Sequence, residues 1–147
     1  MTPFQRILCA TDFSQHAAHA LDRAVELARS LGSETTIVHV IEPPMLFGPE
    51  AANTSLVAEV VKAQREAAET EPSRVVEHAR AASVRVESRL HVGMAALTLV
   101  QLSRDTDLLV MGTRGRTGLK HLLLGSVAER VVRHAHCPVL VVGMEQN

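Results

Sequence analysis

Apolar positions along this chain recur with two alternating periods. Residues 5–11 form a short apolar run, the length of a buried strand. Over residues 14–31 the spacing changes, and Ala17, Ala20, Leu21, Ala24, Leu27, Ala28 and Leu31 fall on one helical face. Ser14 is placed to cap this helix at its start and Gly32 at its end. Residues 35–41 are rich in β-branched side chains and predict a strand, and Pro43-Pro44 and Gly48-Pro49 mark a loop after it. Residues 53–82 have helical composition behind a cluster of capping residues, Asn53, Thr54 and Ser55. Pro72 is expected to kink this helix or split it, with Thr70 as a new cap. Residues 84–91 alternate strictly, which predicts a strand with one wet face near a sheet edge. A helix over 94–104, a buried strand over 107–111, a glycine-rich loop from Gly112 to about Leu124, a helix over 126–135 and a strand over 138–142 complete the pattern.

The order is β-α-β-α-β-α-β-α-β, which predicts an α/β fold with a parallel sheet and helices on both faces. Crossovers are expected to be right-handed. Strand orders 2-1-3-4-5 and 3-2-1-4-5 both fit, and in either one ligands bind at the carboxyl ends of the strands, where the order reverses. At 147 residues, without repeats, low-complexity tracts or a linker, the chain reads as one domain over 1–147.

Composition narrows the function classes. Trp and Tyr are absent, so the core must be aliphatic, with Phe4, Phe13 and Phe47 its only rings. With 15 Lys+Arg against 16 Asp+Glu there is no basic excess for nucleic acid, and base-stacking platforms lack their aromatics. Cys9 and Cys137 lie in apolar runs without a CxxC pair and read as buried, reduced thiols. No apolar run approaches the ~20 residues that span a bilayer, and the first residues lack the pattern of an export signal. The expectation is a soluble, cytoplasmic protein. His16 and His19 have tolerable metal spacing but no evident third ligand, so no metal site is assigned. His134 and His136 suit the end of the last helix, where cations favour the dipole. No Cys-His or Ser-His-Asp grouping suggests a catalytic set.

The strongest chemical signal is the segment from Val110 to Ser126. A buried strand runs into Gly112 and Gly115, and Gly125-Ser126 opens the next helix. Glycines at 112 and 115 permit positive φ and close approach of a ligand to the backbone. Free amides at a helix start attract an anion, and Arg114, Arg116 and Lys120 add positive charge. The spacing fits neither a Walker A loop nor a Rossmann fingerprint. The alternative is a loop whose glycines only make turns. Thr11-Asp12-Phe13-Ser14 follows the first strand, so Asp12 either faces a ligand in the crevice or caps the first helix. His39-Val40 ends the second strand, where an adenine could use the Val40 backbone.

These motifs together resemble the universal stress protein family, in its single-domain, ATP-binding subgroup. Gly112, Gly115, Gly125 and Ser126 match Gly-x2-Gly-x9-Gly-Ser/Thr, and Thr11 to Ser14, His39 to Ile41 and Cys137 to Val142 extend the resemblance over nearly the whole chain. The resemblance implies strand order 3-2-1-4-5. It implies adenine and ribose near Thr11, Asp12, the Val40 backbone and Gly112, and phosphates on Gly115, Gly125, Ser126 and Val127, with Met111, Thr113 and Arg114 flanking. The cofactor implied is ATP (or ADP or AMP), with Mg²⁺ riding on the phosphates. A homodimer through the apolar final strand is implied, and pairing there also has a physical motive, since the strand is otherwise an exposed edge. The function expected is a nucleotide-dependent regulatory or stress-response protein with at most slow hydrolysis and a protein partner of unknown identity. A genuine ATPase or nucleotidyl-transferring enzyme, and an interaction module without nucleotide, are the alternatives.

Overall fold

The computed structural model describes residues 3–44, 54–113 and 124–144. Nine principal elements alternate: β1 (Arg6–Ala10), α1 (Gln15–Leu31), β2 (Glu34–Ile41), α2 (Thr54–Ala81), β3 (Arg85–Val92), α3 (Ala95–Leu102), β4 (Leu108–Gly112), α4 (Ser126–His134) and β5 (Val139–Val142). A 3₁₀ turn at Ser103–Asp105 follows α3. The five strands form one parallel sheet in the order β3-β2-β1-β4-β5, one of the two orders compatible with the pattern and the one the family resemblance implies. The chain moves outward from β1 to β3, returns, and moves outward again from β4 to β5. The reversal lies between β1 and β4.

Alternate side chains of each strand enter two aliphatic layers. Ile7, Cys9, Ile37, Leu108 and Val110 pack under α1 and α2, against Ala20, Leu21, Ala24 and Ala79. Leu8, Val38, Leu109 and Met111 face the other way, under α3 and α4, against Leu99, Ala128 and Val131. Alanines at 17, 20, 24 and 28 form most of the buried stripe of α1 and let its backbone lie close to the sheet. Small helix side chains thus close the core where aromatic rings are almost absent. Burial pushes the Cys9 thiol up to about 12, so Cys9 is an inert part of the core. Cys137 is also a free thiol but only half-buried, short of the full burial its apolar run suggested.

Helix ends follow the expected chemistry. The Ser14 side chain accepts the Ala17 N–H at 3.2 Å. Gly32 closes α1 at φ 68° and donates to the Ala28 carbonyl. Pro72 does not split α2, which runs as one helix over 28 residues. A proline removes one intrahelical bond. Here Ala68 and Ala79 are both buried and lie three full turns apart, so one packed face continues past the interruption. β3 occupies an edge, as its alternation predicted, and exposes Arg85, Glu87 and Arg89.

At the amino ends of the strands, Arg6 and Asp107 clamp β1 to β4. The Asp107 carboxylate accepts from the Arg6 backbone N–H at 2.8 Å and from its guanidinium at 3.0 Å, while the Asp107 N–H donates to the Arg6 carbonyl. The Arg6 side-chain bond, reinforced by its backbone N–H, holds the Asp107 carboxyl below the usual carboxylate range. A depressed folded-state pKa stabilises the fold above the ordinary carboxylate value, and that contribution fades as pH falls through the depressed one. Asp107→Asn should therefore lose stability at neutral pH and show a shallower stability loss than wild type below about pH 4. Urea unfolding across pH tests this, and parallel curves for the two proteins would contradict it.

Candidate functional site

β1 stops at Ala10, while its neighbour β2 continues to Ile41. The Thr11 N–H still donates to the Val38 carbonyl at 2.9 Å, as the last rung of that ladder. The chain then turns. The Asp12 carboxylate accepts the Ser14 N–H at 3.0 Å, and Ser14, not Asp12, is the N-cap of α1. The Asp12 side chain thus shapes the turn just before the cap and stays half-buried at the mouth of the crevice. Phe13 adopts φ 62°, a left-handed conformation that costs a residue with a side chain some strain. Its ring lies 4.6 Å from that of His39, tilted by 45°.

This turn changes the bonding of Val40. In a parallel strand, alternate residues direct both backbone groups to the same neighbour. The Val38 carbonyl accepts from the β1 side, and the Ile41 carbonyl accepts Gly93 N–H on the β3 side, so Val40 directs its groups to the β1 side. A continued ladder would bond Val40 N–H to the Thr11 carbonyl and Phe13 N–H to the Val40 carbonyl. Neither rung occurs among the bonds of the described residues. The Thr11 carbonyl instead accepts from His39 Nδ1 at 2.8 Å, and Phe13 N–H donates to Thr11 Oγ1 at 3.1 Å. The donor and the acceptor of one residue, Val40, are left facing the crevice, a pairing suited to the edge of a planar heterocycle.

On the other side of the crevice, β4 ends in Gly112. A Cβ built there would stand 2.9 Å from the backbone carbon and oxygen of His16. Gly112 does not use the positive φ that a glycine permits. Its requirement for glycine comes from the first turn of α1, which lies directly on it. The contact joins the β1 turn to the β4 end, and beside it His16 Nδ1 is buried with no partner among the described residues. Met111, one residue earlier, is buried under α4 and forms apolar floor.

Thr113 ties the start of α4 to this place. Its N–H donates to the Val142 carbonyl at 3.1 Å, and its carbonyl accepts Gly125 N–H at 2.7 Å. Gly125 is the N-cap of α4, with no side-chain cap, and its carbonyl accepts from Glu129 N–H. The amides of Ser126, Val127 and Ala128 therefore precede the first intrahelical bond and have no acceptor within α4. Such amides with the helix dipole behind them suit an anionic group. Thr11, Asp12, Val40, Met111, Gly112, Thr113, Gly125, Ser126 and Val127 thus gather at the carboxyl ends of the central strands. Arg114 and Gly115 lie outside the described residues, as do Phe47 and most of the proline-rich stretch from Pro43 to Asn53.

Two side chains near this end of the sheet make contacts that the sequence pattern does not announce. His39 bonds the Thr11 carbonyl, and a polar side chain near the end of a β-branched strand is the signal for it. Glu42 accepts Ala95 N–H at 2.7 Å and so caps α3, whose own N-cap residue Met94 makes no side-chain bond. At the opposite end of the sheet a groove of about 320 Å³ is lined by Arg6, Thr36, Glu87, Arg89 and Thr106 over Leu8 and Val38. Its Arg6 and Arg89 are already bonded to Asp107 and Glu87. The carboxyl-end crevice, with open backbone groups, is the stronger candidate.

Gly112→Ala should lower the unfolding free energy by about 1–3 kcal/mol, because backbone rather than a mobile side chain must yield. Chemical denaturation measures it, and an alanine variant as stable as wild type would remove the close approach of α1 from this account.

Comparison with known proteins agrees with this architecture. The universal stress protein family matches residues 3–143. Universal stress protein MJ0531 of Methanocaldococcus jannaschii is 33% identical over 142 residues, covering 95% of this chain and 82% of its own. The solved structure of MJ0577 from the same organism superposes with a TM-score of 0.86 at 27% identity, over 98% of this chain and 99% of the other. A universal stress protein solved in complex with cAMP is similar at TM-score 0.64 and 26% identity, over 96% of this chain and 98% of its own. The chain belongs to the universal stress protein family.

Proposed function

We propose that this protein binds an adenine nucleotide, ATP or its ADP or AMP counterpart, between β1 and β4, and acts as a nucleotide-dependent regulatory protein of the stress response. The observation that carries this reading is the convergence of two complementary sets of open groups at one end of the sheet. Val40 offers a donor and an acceptor to a base edge, and the first turn of α4 offers amides to phosphates. In this reading the Asp12 carboxylate, just past the end of the intervening strand, accepts from ribose hydroxyls. Similarity to a relative solved with cAMP supports the ligand class.

Among the described residues no group of three His, Cys, Asp or Glu is arranged to hold a metal ion. A Mg²⁺ accompanying the nucleotide would take the phosphates and water as its main ligands. The chain's own residues bind and orient the nucleotide, and hydrolysis is at most slow. A cytoplasmic location and a protein partner that reads the nucleotide state belong to the same proposal.

Gly125 has φ −70° and ψ 161°, a conformation open to any residue, so the backbone alone does not demand glycine there. Gly125→Val should keep the fold and weaken ATP binding at least tenfold by blocking approach to the α4 amides. Calorimetry with wild type and variant tests this. Equal affinities would remove α4 from the site, and absence of wild-type binding at millimolar ATP would overturn the function.

The two edges of the sheet suggest how copies of the chain associate. β3 carries Arg85, Glu87 and Arg89, charges that discourage strand pairing. β5 is Val139-Leu140-Val141-Val142, without a charge, and Leu140 and Met144 are exposed. We infer a homodimer through β5. Light scattering should give a dimer for wild type and a monomer for Leu140→Arg, and a monomeric wild type at tens of micromolar would contradict it.

A further inference from the structure

We propose that His39 is a positioning residue that keeps the Val40 backbone open for the base. The inference rests on the nucleotide reading and adds to it the device that creates the recognition edge. A carbonyl only accepts, so the 2.8 Å contact between His39 Nδ1 and the Thr11 oxygen requires the proton on Nδ1. That oxygen is the acceptor the next rung of the β1–β2 ladder would use for Val40 N–H. The imidazole takes its place. The ring comes from the residue directly before Val40, so β2 supplies both the edge and the group that keeps it from closing.

The surrounding geometry fixes the ring in this role. Phe13 packs against it with the rings 4.6 Å apart and tilted, and the left-handed turn at Phe13 carries the chain away from β2. Phe13 N–H is satisfied by Thr11 Oγ1, which leaves the Val40 carbonyl open as well. Without the His39 donor, the half-buried Thr11 carbonyl would lack a partner, a condition that costs more than the bond it replaces. Val40 N–H is the nearest group by register to relieve it. The ladder would then gain one rung and the site would lose its donor.

Three variants separate this role from simple packing. His39→Phe keeps a ring against Phe13 and removes the donor. His39→Asn places an amide N–H near the position of Nδ1, whereas His39→Gln places it near that of Nε2. Amide hydrogen exchange at Val40, followed by NMR in the nucleotide-free protein, should be fast in wild type and His39→Asn. It should slow at least tenfold in His39→Phe and His39→Gln. ATP affinity should fall about fivefold to tenfold in the same two variants and stay near wild type in His39→Asn. Slow Val40 exchange in wild type, or equal exchange in wild type and His39→Phe, would overturn the proposal. If the exchange pattern appears but wild type binds no ATP at millimolar concentration, the nucleotide reading fails and His39 has no recognition edge to serve. Wild-type binding with undiminished affinity in His39→Phe overturns the His39 role alone.

Discussion

β1 is shorter than β2, and the two strands part company at Thr11. Parallel strands of equal length would satisfy each other and leave nothing for a ligand. Here the last rung is Thr11 N–H to the Val38 carbonyl, after which side chains take the bonds that backbone would have made. His39 holds the Thr11 carbonyl, Thr11 Oγ1 holds Phe13 N–H, and Asp12 holds Ser14 N–H. The turn is stable because its polar groups are paired, and Val40 remains open because they are paired locally. The helix cap, the strained φ at Phe13 and the open edge of Val40 are consequences of one early strand ending.

The second half of the site depends on how closely α1 approaches β4. An aliphatic core built largely from alanine on the helix side lets α1 settle on the sheet, and Gly112 lets its first turn rest against the β4 backbone. The Thr113 carbonyl then sets Gly125, and with it the direction of α4. The β1 turn, the β4 end and the α4 start are therefore connected through backbone contacts. Side-chain substitutions at the surface of these elements should disturb the site little, while changes that move backbone should disturb it strongly.

Much of this was legible in the sequence. Alternation of periods predicted all nine principal elements, and the strict alternation from Val84 to His91 marked β3 as an edge. Ser14 and Gly32 announced the ends of α1 through their local chemistry. Pro72 misled because local propensity predicts a break, while the buried face shared by Ala68 and Ala79 is a tertiary matter. Gly112 is legible as a glycine but not for its packing reason, since a sequence shows that a glycine is present but not which atoms crowd it. The role proposed for His39 is not legible in the sequence, because it requires knowing that β1 ends opposite it. That relation is one of register between strands, and neither strand displays it alone.

The site proposed for adenine nucleotide is the carboxyl end of the sheet, between β1 and β4. Titration of the uniformly ¹⁵N-labelled protein with ATP, followed by backbone amide shifts, tests it most directly. The largest changes are expected at Asp12, Val40, Gly112, Ser126 and Val127. Thr36, Glu87, Arg89 and Thr106 around the opposite groove should remain still. Shifts concentrated at that groove, or none at Val40 and Ser126 under saturating nucleotide, would contradict it.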